Sequence, residues 1–213
     1  MRRTLTAFLL ASAISIIITT PAASAGEWEV NGTKLLVTAA LSSTALVLTY
    51  GKFEILGGLN ISINCTSETI QINQGQLTAP DSLLVNGITL TECRAPSLEE
   101  ASCAITSKTV SILPLKGLVS LDGSLGAFVE LLPQTHTEFG VIPLEGPKCT
   151  LAGPWALAGG VDFLLHDGRD ARTSHLALVF ALPGQLRVGP DEVLLVGLGI
   201  DVRLANGQTW NFL

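Results

Sequence analysis

Residues 90–121 show the sequence pattern that recurs through most of this chain. Short apolar segments follow one another there, separated by a few turn-forming residues. The same pattern covers most of the chain, and strands of this length at regular spacing are typical of β-sandwiches and β-barrels. The predicted strand segments are residues 59–65, 69–72, 83–85, 88–91, 110–113, 118–121, 127–132, 161–165, 176–182 and 192–196.

Helical periodicity is nearly absent. The exception is the segment that begins at Ser97, where Ser97 and Glu100 have the spacing of a capping box, so that one or two helical turns are expected there. The sequence therefore predicts an all-β fold with little helix. We expect a single antiparallel β-sandwich, or a closed-up, barrel-like form of it, built from short strands.

The first 25 residues have the features of a secretory signal peptide. Arg2 and Arg3 come first, residues 7–18 form an uncharged apolar run, and Ala23-Ser24-Ala25 supplies the small residues of a cleavage site before Gly26. The run is shorter than the ~20 residues of a membrane-spanning helix, which is the alternative. Residues 26–213 are expected to form one all-β domain, with a split near residues 132–138 as the alternative.

The charge of the mature chain limits its partners. The leader carries two of the twelve basic residues and none of the eighteen acidic ones, which leaves 10 basic and 18 acidic residues and a net charge of −8. Nucleic acids and anionic lipids should repel such a protein. No later segment reads as a transmembrane helix, because residues 35–48 are short and interrupted by Ser42, Ser43 and Thr44. The partners are unknown, with envelope components or another protein as candidates.

Four cysteines in an exported chain predict two disulfides. No C-x-x-C motif is present, which argues against a zinc ribbon or a thioredoxin-type site. Of the three possible pairings, Cys93–Cys103 and Cys65–Cys149 are the prediction. The first would close a short polar excursion, and the second would join the early strands to residues 148–151.

Three Asn-Gly dipeptides predict tight turns, since both residues tolerate positive φ. A two-residue loop at Asn31-Gly32 places Glu29 opposite Lys34. A similar loop at Asn86-Gly87 would pair Val85 with Ile88. At Asn206-Gly207, a three-residue loop with Gly207 in the left-handed region gives a hairpin that has one apolar face. Residues 202 and 200 of that hairpin would lie opposite the aromatic residues 210 and 212.

One polar cluster is the candidate site for catalysis or metal binding. It consists of Asp162, His166, Asp167, Arg169, Asp170, Arg172 and His175. The favoured interpretation is a solvated hairpin tip that turns at Asp167-Gly168, because charges gather at wet loop tips. The two histidines lack the i,i+4 spacing of a zincin, and Asp167 and Asp170 do not fit a calcium loop. No cofactor or metal is expected.

These features predict a non-catalytic β-sandwich protein, exported by a bacterium to the periplasm, the cell surface or the medium. Its role would be structural, or it would bind a component of the envelope or its surroundings. Two alternatives remain. One is a secreted hydrolase or metal-dependent enzyme that uses His166, Asp167, Asp170 and His175. The other is an outer-membrane β-barrel, whose aromatic C-terminus is similar to Trp210–Leu213; however, aromatic residues make up only 5% of the chain, too few for two aromatic girdles.

Overall fold

Antiparallel strands make up nearly all of the regular structure, which confirms the predicted fold class. The computed structural model describes residues 26–47, 51–57, 60–99, 102–122, 126–135, 137–166, 174–177 and 186–213, and the predicted leader lies outside these ranges. In the described part of the chain, no helix is long and apolar enough to span a membrane. The strands are β1 (Trp28–Val30), β2 (Thr33–Lys34), β3 (Thr38–Ala40), β4 (Thr44–Val47), β5 (Gly51–Ile55), β6 (Ile61–Cys65), β7 (Thr69–Ile72), β8 (Gly75–Thr78), β9 (Ser82–Val85), β10 (Ile88–Leu90), β11 (Cys93–Arg94), β12 (Ala104–Ile105), β13 (Val110–Ile112), β14 (Leu115–Asp122), β15 (Gly126–Pro133), β16 (Glu138–Glu145), β17 (Gly153–Gly159), β18 (Val161–His166), β19 (Ser174–Ala177), β20 (Leu186–Val188), β21 (Asp191–Val196), β22 (Gly199–Val202) and β23 (Trp210–Phe212).

The described residues contain two short helical elements. The helix α1 (Pro96–Glu99) confirms the helical turn expected in this segment, but it begins before Ser97, so Ser97 lies inside the helix and not at its N-cap. A 3-10 turn covers Thr106–Lys108.

Twenty strands form one curled sheet that consists of two runs. The first run has the order β3-β8-β9-β14-β15-β18-β19-β22. The second run has the order β4-β7-β10-β13-β16-β17-β20-β21-β5-β6-β11, and the short strand β12 also pairs with β16. The pairing of β22 with β4 joins the two runs. Side chains from both runs, such as Phe53 and Phe163, meet in one apolar core.

The chain passes between the runs at bends within nearly continuous strands. Residues 73–74 separate β7 from β8, Asn86-Gly87 separates β9 from β10, and residues 113–114 separate β13 from β14. Pro114 cannot donate a backbone hydrogen bond, which suits a position where a strand changes partners. Such bends let one strand contribute to two facing layers, which closes the sheet around its core.

Alternation of burial along the strands shows which face of the sheet meets the core. In β5 and β6 every second residue is buried, and β7 shows the same period. Phe53, Ile63 and Ile70 are fully buried by this pattern. Since successive side chains of a strand point to opposite faces, the core is one-sided along these strands.

A separate three-stranded sheet, in the order β2-β1-β23, joins the first and last described segments. Glu27 and Leu213 exchange backbone hydrogen bonds of 2.7 and 3.1 Å. Trp28 packs edge-on against Trp210 at 5.3 Å and against Phe212 at 4.9 Å between ring centroids. Edge-to-face contacts of this kind are favourable, so the aromatic trio fixes the small sheet in place.

The first Asn-Gly prediction is confirmed, and the second is wrong. Asn31 and Gly32 both have positive φ, and Glu29 lies opposite Lys34 as expected. Asn86-Gly87, in contrast, is a bend, because β9 pairs with β8 and β14 while β10 pairs with β7 and β13. Only Gly87 has positive φ at that dipeptide, whereas the type I′ hairpin turn favoured by Asn-Gly requires it at both residues.

The third Asn-Gly prediction is correct for the turn and wrong for the strand pairing. Gly207 has φ +72°, and Trp210 and Phe212 are buried as expected. However, β23 pairs with β1 and not with β22. Both edges of β22 are occupied, by β19 and β4, so the final strand finds its partner at the other end of the chain. Residues 202 and 210 are still in contact, although not as a cross-strand pair, because the Trp210 indole donates a hydrogen bond to the Val202 carbonyl at 3.0 Å.

All four cysteines form disulfides as predicted, but the predicted pairing is wrong. The bonds are Cys65–Cys93 and Cys103–Cys149, with Cα–Cα distances of 4.0 and 4.8 Å. Cys65 and Cys93 lie directly opposite each other on β6 and β11. The prediction assumed that residues 94–102 need a disulfide to hold them. In fact Leu98 of α1 is buried in the core and anchors that segment.

Gly117 of β14 provides a test of how closely the strands pack. A Cβ atom there would lie 2.7 Å from Val129 Cγ1 and 2.9 Å from Leu131 Cδ2. We expect Gly117→Ala to lower the free energy of unfolding by about 1–3 kcal/mol, the usual cost of overpacking. Urea denaturation measures this change, with the exposed Ser120→Ala on the same strand as the control, expected within ~0.5 kcal/mol of the unsubstituted protein. Equal stabilities for the two variants would contradict the packing described here.

Candidate functional site

The polar cluster predicted from the sequence is only partly within the described residues. Asp162 lies on β18 directly opposite Glu130 of β15. The backbones of His166 and His175 lie opposite each other where β18 pairs with β19. Asp167, Arg169, Asp170 and Arg172 lie outside the described residues. The strand pairing therefore brings the two histidine positions together, while the turn expected at Asp167-Gly168 stays a prediction.

Asp201 adds a carboxylate that the sequence analysis did not single out. Its position on β22 lies opposite His175 of β19. The side chain is 4% exposed, and Arg203 donates hydrogen bonds to Oδ2 from Nη2 at 3.0 Å and from Nε at 3.3 Å. Charge-assisted bonds of this kind stabilise a buried carboxylate. The signal available in the sequence was the i,i+2 spacing of Asp201 and Arg203, which places both side chains on one face of a strand.

Among the side chains that the structure describes, which do not include those of His166 and His175, no three His, Cys, Asp or Glu groups lie close enough to hold an ion together.

The two histidines of the polar cluster give a direct test of the hairpin-tip interpretation. If His166 and His175 belong to a solvated tip, His166→Ala and His175→Ala should each change the free energy of unfolding by less than ~0.5 kcal/mol. Denaturation curves and metal analysis of the purified protein provide the measurement. A loss of several kcal/mol in either variant, or a bound metal, would show that the cluster is a functional or structural centre.

A groove with two carboxylates lies beside the Cys103–Cys149 disulfide. Its volume is about 630 Å³, within the usual range for small-molecule sites. Glu99 and Glu145 contribute its charge, and β12 positions Ala104 opposite Glu145. The groove is wide open, whereas ligand pockets commonly enclose most of the ligand surface. The remaining lining residues are Ser102, Cys103, Gly146 and Pro147.

The described residues enclose two small apolar cavities. Two cavities of about 20 Å³ each lie in the core, and both are lined only by apolar side chains. Ile88, Leu131 and Phe163 line both of them. Drug-sized ligands occupy cavities of roughly 300–1,000 Å³, so neither of these cavities is a binding pocket in this conformation.

The most exposed large apolar side chains lie at one end of the small sheet. Leu36 is 80% exposed, Val37 71% and Leu213 61%, and we call these three residues the apolar tip. Leu35, the residue before Leu36, donates a backbone hydrogen bond to Trp28. Glu27, the residue before Trp28, exchanges backbone hydrogen bonds with Leu213, so the tip residues lie on either side of the segment that leads into β1. The aromatic trio beneath the tip is buried, so these side chains are displayed on a packed base.

Comparison with protein-family models, curated proteins and solved structures found no match to this chain.

Proposed function

We propose that this is an exported bacterial protein with a structural or binding role, without catalysis, at the cell envelope or outside the cell. The apolar tip is the observation that carries the proposal. Exposed apolar groups that stand together on a protein surface commonly mark interaction sites, whereas isolated ones do not. A binding role accounts for the three side chains of the tip, which are 61–80% exposed, compared with 39–45% for the other exposed large apolar side chains of the described residues, Leu46, Leu118 and Leu132.

The disulfides support export. Disulfides persist in oxidising compartments and are rare in the cytosol, so the two bonds are compatible with a periplasmic or extracellular location. They join segments 28 and 46 residues apart, which restricts the unfolded chain and favours the folded state. A leader with a cleavage site before Gly26 provides the route out of the cytosol.

Fractionation of producing cells tests the proposal. The protein should be recovered from the envelope, periplasm or medium, with Gly26 as its first residue and no free thiols. N-terminal mass spectrometry and thiol titration of each fraction supply the measurement. Recovery from the cytosol with the leader retained and four free thiols would overturn the proposal.

A further inference from the structure

The backbone that carries the apolar tip is held by hydrogen bonds on several sides. Leu35 donates to the Trp28 carbonyl at 2.8 Å, and Ala79 donates to the Val37 carbonyl at 2.9 Å. Trp28 in turn donates from its backbone to Pro80 at 3.0 Å and from its indole to Ser82 at 3.0 Å. Leu36 and Val37 therefore lie in a loop whose backbone is fixed by hydrogen bonds, so little backbone conformational entropy is lost when a partner buries them.

The chain outside the structure joins the fold beside the tip. Residues 1–25 lead into Gly26, which is buried against Phe212: a Cβ atom on Gly26 would lie 2.1 Å from Phe212 Cε1. The next residue, Glu27, is bonded to Leu213 of the tip. If the apolar run at residues 7–18 of the predicted leader is held in a membrane, its connection through Gly26 places the tip on the side of the folded protein that faces the bilayer.

The size and charge of the tip indicate the kind of partner. A stable protein interface takes roughly 20–30 residues from each side, whereas the tip offers three. A bilayer accepts a small group of apolar side chains without shape complementarity, because their removal from water is favourable in itself. Lys34 beside the tip is paired with Glu27, and the exposed residues of β3 that follow are uncharged. The mature chain is acidic, so anionic lipid would repel it.

We infer that the apolar tip is a membrane-contact site, at which Leu36, Val37 and Leu213 enter the interfacial layer of a zwitterionic phospholipid bilayer. This inference rests on the proposed export and binding role and names the partner. The contact holds the folded protein against the membrane after the leader is removed, with the aromatic trio as the rigid base. Anionic lipid weakens the contact, and the depth of insertion is limited to the tip.

Co-sedimentation with phosphatidylcholine vesicles tests the inference, using the protein purified after export. The unsubstituted protein should bind. The vesicle affinity of the variant Leu36→Asp/Val37→Asp should be lower by about ten-fold or more, because charges replace two apolar side chains that the bilayer buries. Leu118→Asp is the matched control, because Leu118 is 45% exposed on β14 and lies outside the tip; it should bind like the unsubstituted protein. Far-UV circular dichroism and thiol titration establish that each variant is folded with both disulfides.

Three results would overturn the inference. They are no vesicle binding by the unsubstituted protein, equal binding by the tip variant, and a concentration-dependent dimer that the tip variant abolishes. The last would assign the tip to a second copy of the chain. These outcomes differ from failure of the proposed function, which is tested by the location of the protein. If the protein is exported but does not bind vesicles, only the membrane contact is contradicted. Should Leu36→Asp/Val37→Asp fail to fold, Leu36→Ser/Val37→Ser replaces it and should show a smaller loss in the same direction.

Discussion

Removal of the Cys103–Cys149 disulfide by Cys103→Ala/Cys149→Ala is expected to lower the free energy of unfolding by about 4 kcal/mol. The bond closes a loop of 46 residues, and in the chain-entropy model a loop of that length contributes about this amount by restricting the unfolded chain. Guanidinium denaturation under non-reducing conditions measures the loss. Cys65→Ala/Cys93→Ala, with a separation of 28 residues, should cost slightly less.

Thiol titration of the same variants checks the pairing itself. Each of these double variants removes one complete disulfide, so neither should contain a free thiol. The matched control is Cys93→Ala/Cys103→Ala, which takes one cysteine from each observed bond and should leave two free thiols, unless Cys65 and Cys149 pair with each other. Two free thiols in Cys103→Ala/Cys149→Ala would contradict the observed connectivity, as would a loss of stability below ~1 kcal/mol.

Trp28→Ala is expected to cost about 3–5 kcal/mol, the range for removal of a fully buried large aromatic side chain. Trp28 is 1% exposed, contacts both Trp210 and Phe212, and donates its indole hydrogen to Ser82. Trp210→Ala belongs to the same range, because Trp210 is 6% exposed and lies in the same trio. Thermal and urea unfolding followed by circular dichroism give the values.

The control for the aromatic trio is Trp155→Ala. Trp155 of β17 is only half-buried at the edge of the core, so its removal should cost clearly less than that of Trp28. Trp28→Ala and Trp210→Ala should also be non-additive, because residues in direct contact couple by roughly 0.5–3 kcal/mol. Additive losses, or equal costs for Trp28 and Trp155, would contradict the central place of the trio in the small sheet.

Local patterns predicted the local structure well. The fold class followed from short apolar segments between turn residues, and the Asn31-Gly32 hairpin followed from turn chemistry and register. Gly207 took its expected left-handed conformation, since that preference belongs to the residue itself. The short helix near Ser97 was predicted in the right segment, although it begins at Pro96, before the predicted N-cap.

Long-range pairing could not be predicted in the same way. The final strand β23 pairs with β1, at the other end of the described chain. A hydrogen bond beside this pairing, from Thr209 to Asn31, joins residues 178 positions apart. Which partner β23 finds depends on which strand edges stay open after the rest of the chain has folded. The disulfides show the same limit, because the pairing of Cys65 with Cys93 is set by the β6–β11 ladder. Leu36 and Val37 lie at a bend after β2, where the Val37 carbonyl accepts a hydrogen bond from Ala79, and the apolar sequence alone does not indicate that their side chains are exposed.

The candidate sites divide along the same line. The sequence picked out His166 and His175 as a cluster, and the backbone register places the two positions opposite each other. It did not connect them with Asp201, because β22 lies beside β19 only through the order of strands in the sheet. The apolar tip also depends on folding, since its residues come from both ends of the described chain.

The distribution of the exported protein between membrane and soluble fractions of the producing cell is the most direct test of the membrane contact at the apolar tip. The unsubstituted protein should be recovered with the membranes, and Leu36→Asp/Val37→Asp should be recovered in the soluble exported fraction. Both should have Gly26 as the first residue and no free thiols, which shows that export and folding are equal. The membrane contact would be contradicted if both proteins had the same distribution, or if Leu118→Asp were released into the soluble fraction as much as Leu36→Asp/Val37→Asp.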